Sequence, residues 1–329
     1  MEMKIGKIPE MILKRSVLKQ KKHRRAEVQV GLGSGLDASF IKVGKDETMV
    51  LSTNPVIASF CDTPEKAVHI AMNNIVVKGA KPIGILPTIL LPPDSKEEDL
   101  RSLMQGLEKA CDELDIEIIG GHTEVAVAIN QPVLSITGVG KIKDMYRLDE
   151  GLKPSQELVM TQWAGWEGAV ILAKDNRMLL SERYATDFLD NIEEETKNIS
   201  VREAAKIGME HGVKAMHDVT SGGIFGALWE IASAYHVGFS VDLKKIPIRQ
   251  ETVEISEFFE LNPYLLTSRG CLLFVTEHGN ELVSKLSIAG IHAAVIGRIT
   301  ANQDKVVIND DETRFLEPPK EDELSKAYK

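Results

Sequence analysis

Three short segments rich in glycine carry residues from which a phosphate-binding site could be built. The first, residues 31–35, reads Gly-Leu-Gly-Ser-Gly and is followed two positions later by Asp37. Gly33 and Gly35 would let backbone N–H groups approach an anion closely, and Asp37 could hold a cation that bridges phosphates. This is not the dinucleotide-binding fingerprint, because position 36 is Leu and a strand is predicted to follow. A plain hairpin turn remains the alternative interpretation.

The second segment joins Gly120 and Gly121 to His122, Thr123 and Glu124. It follows a predicted strand and combines small residues with an imidazole, a hydroxyl and a carboxylate. Proteins that alternate strands and helices bind ligands at the carboxyl ends of strands, so this segment is a second candidate site. His122 and Glu124 are its candidates for catalysis. The alternative is a turn with ordinary polar side chains.

The third segment, residues 217–223, reads His-Asp-Val-Thr-Ser-Gly-Gly and runs from a predicted strand into a predicted helix. The hydroxyl of Thr220 and the N–H groups of Gly222 and Gly223 could form a phosphate cradle at the start of that helix. Asp218 could ligate a metal ion or take part in catalysis. Helix capping alone would also explain Asp218 and the hydroxyl residues.

Asn73 and Asn74 are adjacent in the middle of a helix predicted to start at Pro64. Asparagine is a mediocre helix former, so the pair indicates a role beyond helix formation, such as ligand binding. A partly exposed polar face is the alternative. The sequence contains no Walker A lysine motif, no G-x-S-x-G elbow and no paired zinc ligands.

The elements that must position these segments are predicted from periodicity and capping signals. Ser95 and Glu98 are predicted to form one capping box, and Ser200 and Glu203 a second one. Gly212 is predicted to end the helix that the second box begins. Strands are predicted at residues 27–32, 38–43, 47–53, 82–91, 116–119, 132–142, 157–161, 213–216, 271–276, 293–299 and 305–308. Helices are predicted at residues 64–78, from 95, within 167–192, from 200, and at 223–235, 251–261 and 280–289.

The composition is that of an ordinary globular protein with two domains. The chain has 329 residues, of which 43% are hydrophobic, and 39 Lys and Arg stand against 49 Asp and Glu, a formal charge of −10. These values exclude disorder, collagen and coiled coil. A polar stretch at residues 143–156 predicts the boundary, with domains at 1–150 and 151–329. The fold class that follows is mixed, α+β or α/β.

Residues 1–25 carry nine basic residues and two acidic ones. They lack interleaved aromatic residues, and the rest of the chain is acidic, so no nucleic-acid binding is expected. The longest apolar stretch, residues 82–93, is too short to span a bilayer, so a cytoplasmic protein without a membrane segment is expected. Cys61, Cys111 and Cys271 predict reduced thiols rather than a disulfide framework or a thiolate zinc site.

In order and context, these segments resemble the superfamily of AIR synthase, selenophosphate synthetase, thiamine-monophosphate kinase and hydrogenase maturation factor HypE. The resemblance covers nearly the whole chain and is closest to HypE-like, AIR synthase-related proteins. It implies an N-terminal sheet domain that binds ATP and pairs in a homodimer, followed by a C-terminal α/β domain. The segments that carry it are 5–9, 33–38, 52–55, 73–82, 120–125, 217–223 and 314–319.

The sequence departs from the family at its acidic residues. Asp37 is retained, but Leu36, Asn54 and Asn74 stand where the family pattern has acids. Mg²⁺ prefers charged oxygen ligands, so Asp37 is the one metal ligand predicted here and Mg²⁺ binding is expected to be weakened. HypE-like relatives also end in a tail cysteine, whereas the last cysteine here is Cys271. Cyanation of a cysteine on the tail is therefore not expected.

Two functions remain open from the sequence. One is an ATP-dependent phosphotransferase or dehydrating ligase acting on a small substrate, with Asp37, His122, Glu124 and Asp218 nearest the chemistry. The other is a homodimer that binds a nucleotide or anion without catalysis and has a regulatory or hydrogenase-maturation accessory role. In both, the expected nucleotide ligands include Asn54, Asn73 and Asn74 and the glycines and hydroxyl residues of the three segments.

Overall fold

A computed structural model describes residues 10–20, 25–31, 33, 36, 38–57, 64–143, 151–194, 199–318 and 321–328. The chain separates into two compact units. The first unit is built from residues within 24–32 and 37–147, and the second unit from residues within 1–23, 33–36 and 148–329. No helix in these described ranges is both long and apolar enough to cross a membrane.

The described residues form the following helices and strands in chain order. Up to residue 143 they are α1 (Glu10–Ser16), β1 (Val28–Val30), β2 (Ser39–Lys42), β3 (Glu47–Ile57), α2 (Pro64–Val76), β4 (Lys81–Leu91), α3 (Glu97–Leu114), β5 (Glu117–Ile118), β6 (His122–Val125) and β7 (Val133–Lys143). From residue 157 they are β8 (Glu157–Thr161), α4 (Trp166–Asp175), α5 (Arg177–Leu180), α6 (Thr186–Glu194), α7 (Arg202–His211), β9 (Ala215–Val219), α8 (Gly223–Tyr235), β10 (Gly238–Asp242), α9 (Gln250–Phe258), β11 (Cys271–Thr276), α10 (Gly279–Ile288), β12 (Ala293–Thr300), β13 (Lys305–Asn309) and β14 (Glu312–Phe315).

The first unit is one sheet covered by helices. Its strands lie in the order β1-β2-β3-β7-β4-β5, and β6 also pairs with β4. The long strands β3, β7 and β4 are antiparallel, whereas β5 and β6 run parallel to β4. The core between sheet and helices includes Ile75, Ile85, Leu107 and Ile136, all of them fully buried.

Two glycines of β7 allow α2 to lie close to the sheet. A Cβ atom at Gly138 would stand 2.7 Å from Met72 Cε, and one at Gly140 would stand 2.3 Å from Ile75 Cγ2. Both distances are far below van der Waals contact, so a side chain at either position would displace the helix. Gly138 and Gly140 share one face of β7, so their lack of side chains sets how closely α2 packs on the sheet.

The second unit is a second sheet with helices around it. Its strands lie in the order β14-β13-β10-β12-β8-β11-β9, and all neighbours are antiparallel except β10 and β13. Its core contains Leu158, Phe239, Leu273 and Ile296, which are fully buried. Helix α1 belongs to this unit, and the Trp229 indole N–H donates to a carboxylate oxygen of Glu10 at 3.0 Å.

The predicted mixed architecture is confirmed, and most predicted elements have an observed counterpart. Helix α8 and strands β8 and β11 have the predicted ends. Gly212 caps α7 with a left-handed φ of 79°, as predicted. Three observed strands have no counterpart in the sequence prediction, namely β6, β10 and β14.

Both predicted capping boxes are wrong. Helix α3 begins after Lys96, whose backbone N–H donates to the Asp99 carboxylate at 2.9 Å, so the reciprocal residue is one position later than predicted. Helix α7 begins after Val201, one residue later than predicted, although the Ser200 hydroxyl accepts the N–H of Arg202 at 3.4 Å.

Candidate functional site

In the first unit, two of the predicted ligand residues meet at one hydroxyl group. The amide Nδ2 of Asn74 donates to Ser52 Oγ at 2.9 Å, and the Nδ2 of Asn54 reaches the same oxygen at 3.5 Å. Ser52, Asn73 and Asn74 are almost fully buried. We call Ser52, Asn54 and Asn74 the amide cluster. It brings residues that are 22 positions apart in sequence into one polar group.

The fold accounts for this convergence. Ser52 and Asn54 lie two residues apart on β3, so their side chains leave the same face of the sheet. Asn74 reaches them from α2, which β7 glycines hold against that sheet. The buried asparagine pair is therefore not a partly exposed polar face, which was the alternative interpretation of Asn73 and Asn74.

The second predicted segment is an edge strand rather than a turn. Residues His122 to Val125 form β6, paired in parallel with β4 and exposed throughout. The chain enters this strand at Gly121, where φ is 151° and a Cβ atom would stand 2.3 Å from the Pro87 carbonyl oxygen of β4. Gly120 directly precedes Gly121 in the segment that leads into β6. The sequence missed the strand because none of its residues is buried, which leaves no hydrophobic alternation to detect.

His122 and Glu124 project from the same face of β6 and contact each other. His122 Nε2 lies 3.1 Å from Glu124 Oε2, and the two side chains are 63% and 59% exposed. Thr123 lies between them and points to the opposite face. The pair offers an imidazole and a carboxylate to any substrate that reaches this edge, as acid and base chemistry requires.

The third predicted segment lies in the second unit, at the junction of β9 and α8. Asp218 is buried on β9, and its neighbour His217 places Nε2 2.9 Å from Glu230 Oε2 on α8. The Gly223 N–H donates to the Thr220 carbonyl at 3.1 Å, which closes the turn before the helix.

Gly222 itself is the N-cap of α8, with φ 84° and no side chain to cap the helix. Its N–H donates to Asp322 Oδ2 at 2.7 Å, so a carboxylate from 100 residues further along the chain takes the place predicted for a phosphate. A Cβ atom at Gly223 would stand 2.5 Å from the Tyr264 carbonyl oxygen, because the loop before β11 packs directly on the turn.

Two acidic residues of the second unit were not among the predicted site residues. Asp322 Oδ1 also accepts the N–H of Thr267 at 3.3 Å. Glu167 accepts the hydroxyl of Thr267 and the backbone N–H of Arg269, each at 3.0 Å, and pairs with the Arg269 guanidinium at 3.1 Å. Burial raises the pKa of Asp322, and the nearby Glu167 carboxylate acts in the same direction, while the N–H bonds oppose the shift. The local sequence signal for Asp322 is its position directly before the short helical turn Glu323–Lys326, where an Asp is a favoured cap.

The first predicted segment is only partly described. Gly35 and Asp37 lie outside the described residues. Gly33 packs on its neighbour, since a Cβ atom there would stand 2.5 Å from Leu36 Cδ1. Within the ranges that the structure describes, no three His, Cys, Asp or Glu side chains are grouped as a metal ion would need.

Comparison with known proteins places the chain in a family. The models of the AIR synthase related protein N-terminal and C-terminal domains match residues 35–142 and 153–309. A putative hydrogenase expression/formation protein of Methanocaldococcus jannaschii is 24% identical over 315 residues, covering 92% of this chain and 91% of that protein. The carbamoyl dehydratase HypE of Rhizobium leguminosarum bv. viciae is 26% identical over 291 residues, covering 83% of this chain and 80% of that protein.

The fold comparison agrees with the sequence comparison. A crystal structure of the hydrogenase maturation protein HypE in complex with ATP has a TM-score of 0.68 at 18% identity. The similarity covers 99% of this chain and 98% of that chain. Because the matches to the two domain models together span most of the sequence, the chain belongs to the AIR synthase-related family.

Proposed function

We propose that this protein is a HypE-like, ATP-binding protein that acts as a phosphotransferase or dehydrating ligase on a small substrate. Membership of the AIR synthase-related family and the ATP complex of a similar HypE structure support this proposal. The observation that carries it is the amide cluster, which keeps a polar group inside the first unit. Burying such groups costs free energy, so their presence favours a role in binding over a role in packing.

The described donor set does not fit a magnesium ion. Asn54 and Asn74 offer neutral amides, whereas Mg²⁺ in nucleotide sites is held through carboxylates. The one retained acid, Asp37, lies outside the described residues. Uncharged amides repel phosphate less than carboxylates do, and their N–H groups can donate to phosphate oxygens. We therefore expect ATP to bind with little dependence on Mg²⁺.

Two interpretations of the chemistry remain within this proposal. In the first, His122 and Glu124 act as acid and base on a substrate that reaches the exposed edge of the first sheet, with Asp37 and Asp218 as further candidates. In the second, the chain binds a nucleotide or anion without turnover and has a regulatory or hydrogenase-maturation accessory role. The neutral amide cluster favours the second interpretation, because phosphoryl transfer needs cations to neutralise the developing charge.

Titration calorimetry with ATP tests the proposal, first in EDTA and then in excess Mg²⁺. We expect the wild-type dissociation constant to change by less than about threefold between the two conditions. The double variant Asn54→Asp, Asn74→Asp should gain a Mg²⁺ dependence of about tenfold or more, because two carboxylates would again need a cation beside phosphate. Asn280→Asp adds one acid at an exposed site of the second unit and should match the wild type. Binding that strictly requires Mg²⁺ in the wild type, or no ATP binding at all, would refute the proposal.

Phosphate release under the same conditions separates the two interpretations. Steady turnover that His122→Ala lowers by about 100-fold or more would support the enzyme, since general acid or base groups contribute on that scale. ATP binding without turnover would support the accessory role.

A homodimer is part of the same proposal and rests on the family resemblance together with the exposed edge of the first sheet. Each residue of β6 is exposed, including Val125. An edge strand with unpaired backbone groups and an exposed apolar side chain is suited to pairing with a second copy.

A further inference from the structure

Strand β14 is the uncovered end of the second sheet. Each of its residues is exposed, whereas the residues of β9, at the opposite end of the same sheet, are all buried. Phe315 on β14 is 68% exposed, which leaves a large apolar side chain at the edge. An edge strand presents backbone N–H and C=O groups on which another strand can pair. β14 is therefore a candidate surface for association.

The hydrogen bonds between β13 and β14 show which backbone groups face the open edge. The N–H of Leu316 donates to the carbonyl of Lys305 at 2.8 Å, in the same register as the rest of the β13–β14 hairpin. Hydrogen-bonded pairs alternate with other pairs in an antiparallel ladder, so Arg314 also bonds to β13, whereas Thr313 and Phe315 do not. The N–H and C=O groups of Thr313 and Phe315 therefore point away from β13, towards the open edge.

The charges of β14 complement a second copy of the same strand. Glu312 and Arg314 lie two residues apart and share a face, with Arg314 Nη2 2.5 Å from Glu312 Oε2. The side chain of Glu312 is 61% exposed and that of Arg314 is 74% exposed. When two β14 strands pair antiparallel about a two-fold axis at Thr313, Glu312 of each copy stands directly opposite Arg314 of the other. The four side chains then form a ring of alternating charge, because a guanidinium has donors for two carboxylates.

The same arrangement satisfies the backbone of the edge. Thr313 lies on the two-fold axis, so its outward N–H and C=O groups bond to those of Thr313 in the second copy. Phe315 lies on the other face of the strand from the charges. It stands diagonal to Thr313 of the second copy, where an aromatic ring and a β-branched side chain pack favourably. Edge strands that resist association often carry lysines, which a second copy repels, whereas the two charges of β14 are opposite in sign.

We propose that β14 is a self-association surface, through which two copies of the chain join their second sheets antiparallel about a two-fold axis at Thr313. Each copy contributes one short strand and half of two exposed ion pairs, and exposed ion pairs contribute little free energy. The association is therefore weak and reversible and needs a high protein concentration. Strand β6 belongs to the first unit, so dimers that form through β6 would be joined into larger assemblies through β14. The inference is independent of ATP binding.

Sedimentation velocity between roughly 5 and 500 µM protein tests the proposal. The weight-average mass of the wild type should rise with concentration above its value at the lowest concentration. Glu312→Lys and Arg314→Glu should each weaken this association about tenfold, because both charge pairs across the edge become like-charged. An equimolar mixture of the two variants should associate as the wild type does, since each pair across the edge is then opposite in charge. Glu210→Lys makes the same charge change at an exposed position of α7 and should match the wild type.

Hydrogen exchange gives a structural readout of the same association. The amides of Thr313 and Phe315 should exchange more slowly at the highest concentration, whereas the amide of Arg314, which bonds within the hairpin, should not change. Val125→Lys alters β6 and should keep the rise in mass with concentration. Loss of that rise in Val125→Lys would assign the association to β6 and overturn the proposal. A wild-type mass that stays constant over the whole range, or a mixture that associates no better than either variant alone, would also refute it.

Discussion

At the scale of the residue, the hydroxyl of Ser52 is the common hydrogen-bond acceptor of the amide cluster. It accepts hydrogen bonds from Asn74 on α2 and from Asn54 on β3, so two amide groups from different elements of the first unit meet at one hydroxyl. At the same positions the related family pattern has acids, and the neutral amides remove charge without removing polarity. Because Mg²⁺ prefers charged oxygen ligands, we expect this change to weaken the binding of Mg²⁺ by the first unit.

Burial lowers the reactivity of the two cysteines that the structure describes. Cys111 lies on the core face of α3, as predicted, and Cys271 begins β11. Burial raises the pKa of Cys111 to about 11 and that of Cys271 to about 12. Thiolate is the reactive species, so both thiols are expected to be inert near neutral pH.

We predict that a Cys61→Ser variant reacts with Ellman's reagent at pH 8 at least about 100-fold more slowly when folded than in guanidinium chloride. A pKa of about 11 instead of 9.0 lowers the thiolate fraction of Cys111 by about that factor, and the pKa of about 12 lowers the thiolate fraction of Cys271 further. Because the folded pKa lies above the unfolded one, the free energy of unfolding should fall as the pH rises above the ordinary thiol pKa, and the loss should be complete beyond the folded value. Release of thionitrobenzoate measures the first effect and chemical denaturation the second. Rapid labelling of the folded variant would show that these thiols are accessible.

At the scale of the element, the sequence correctly predicted the ends of those helices and strands that are marked by local signals. Helix α8 and strand β11 have the predicted ends because glycine punctuation and a continuous apolar run mark them. Strand β6 was missed because its pairing with β4, rather than its own residues, makes it a strand. Within the amide cluster, Asn54 and Asn74 were predicted only as separate residues, and Ser52, which joins them, was not among the predicted site residues. The contact of Asp322 with Gly222 was not predicted, because nothing local links residues that are 100 positions apart.

Substitutions on β7 test how the sheet positions α2. Gly140→Ala should destabilise the protein by about 2–3 kcal/mol, because its Cβ atom would clash with the branched Ile75 side chain and stand 2.9 Å from the Lys81 carbonyl oxygen. Gly138→Ala should cost less, since the nearest atom is the flexible end of Met72. Urea denaturation measures both.

Gly44→Ala is the control for these two variants. Nothing lies within 4 Å of a Cβ atom at Gly44, so this substitution should change the free energy of unfolding by less than about 0.5 kcal/mol. ATP affinity should fall in Gly140→Ala alone, because α2 carries Asn74. Equal stability of all three variants would show that α2 can move away from β7 without cost.

At the scale of the whole molecule, the candidate residues are divided between the two units. The amide cluster and the His122–Glu124 pair belong to the first unit, whereas Gly222 at the start of α8 and the Asp322 carboxylate that it contacts belong to the second unit. Each unit completes its own sheet and its own core. Both family domains are matched, and we expect the proposed function to use the whole chain together with a second copy of it.

Light scattering after size-exclusion chromatography tests whether two copies of the chain form a dimer. The wild type is expected at twice the 36.3 kDa of the chain, and Val125→Lys at the mass of one chain. Val125 is 58% exposed at the end of β6, and a lysine on an edge strand prevents pairing by placing an unpaired charge in the interface. Ile288→Lys is the control, because Ile288 is 88% exposed on α10 in the second unit. A wild-type monomer would contradict the dimer, and a Val125→Lys dimer would show that the copies pair through another surface.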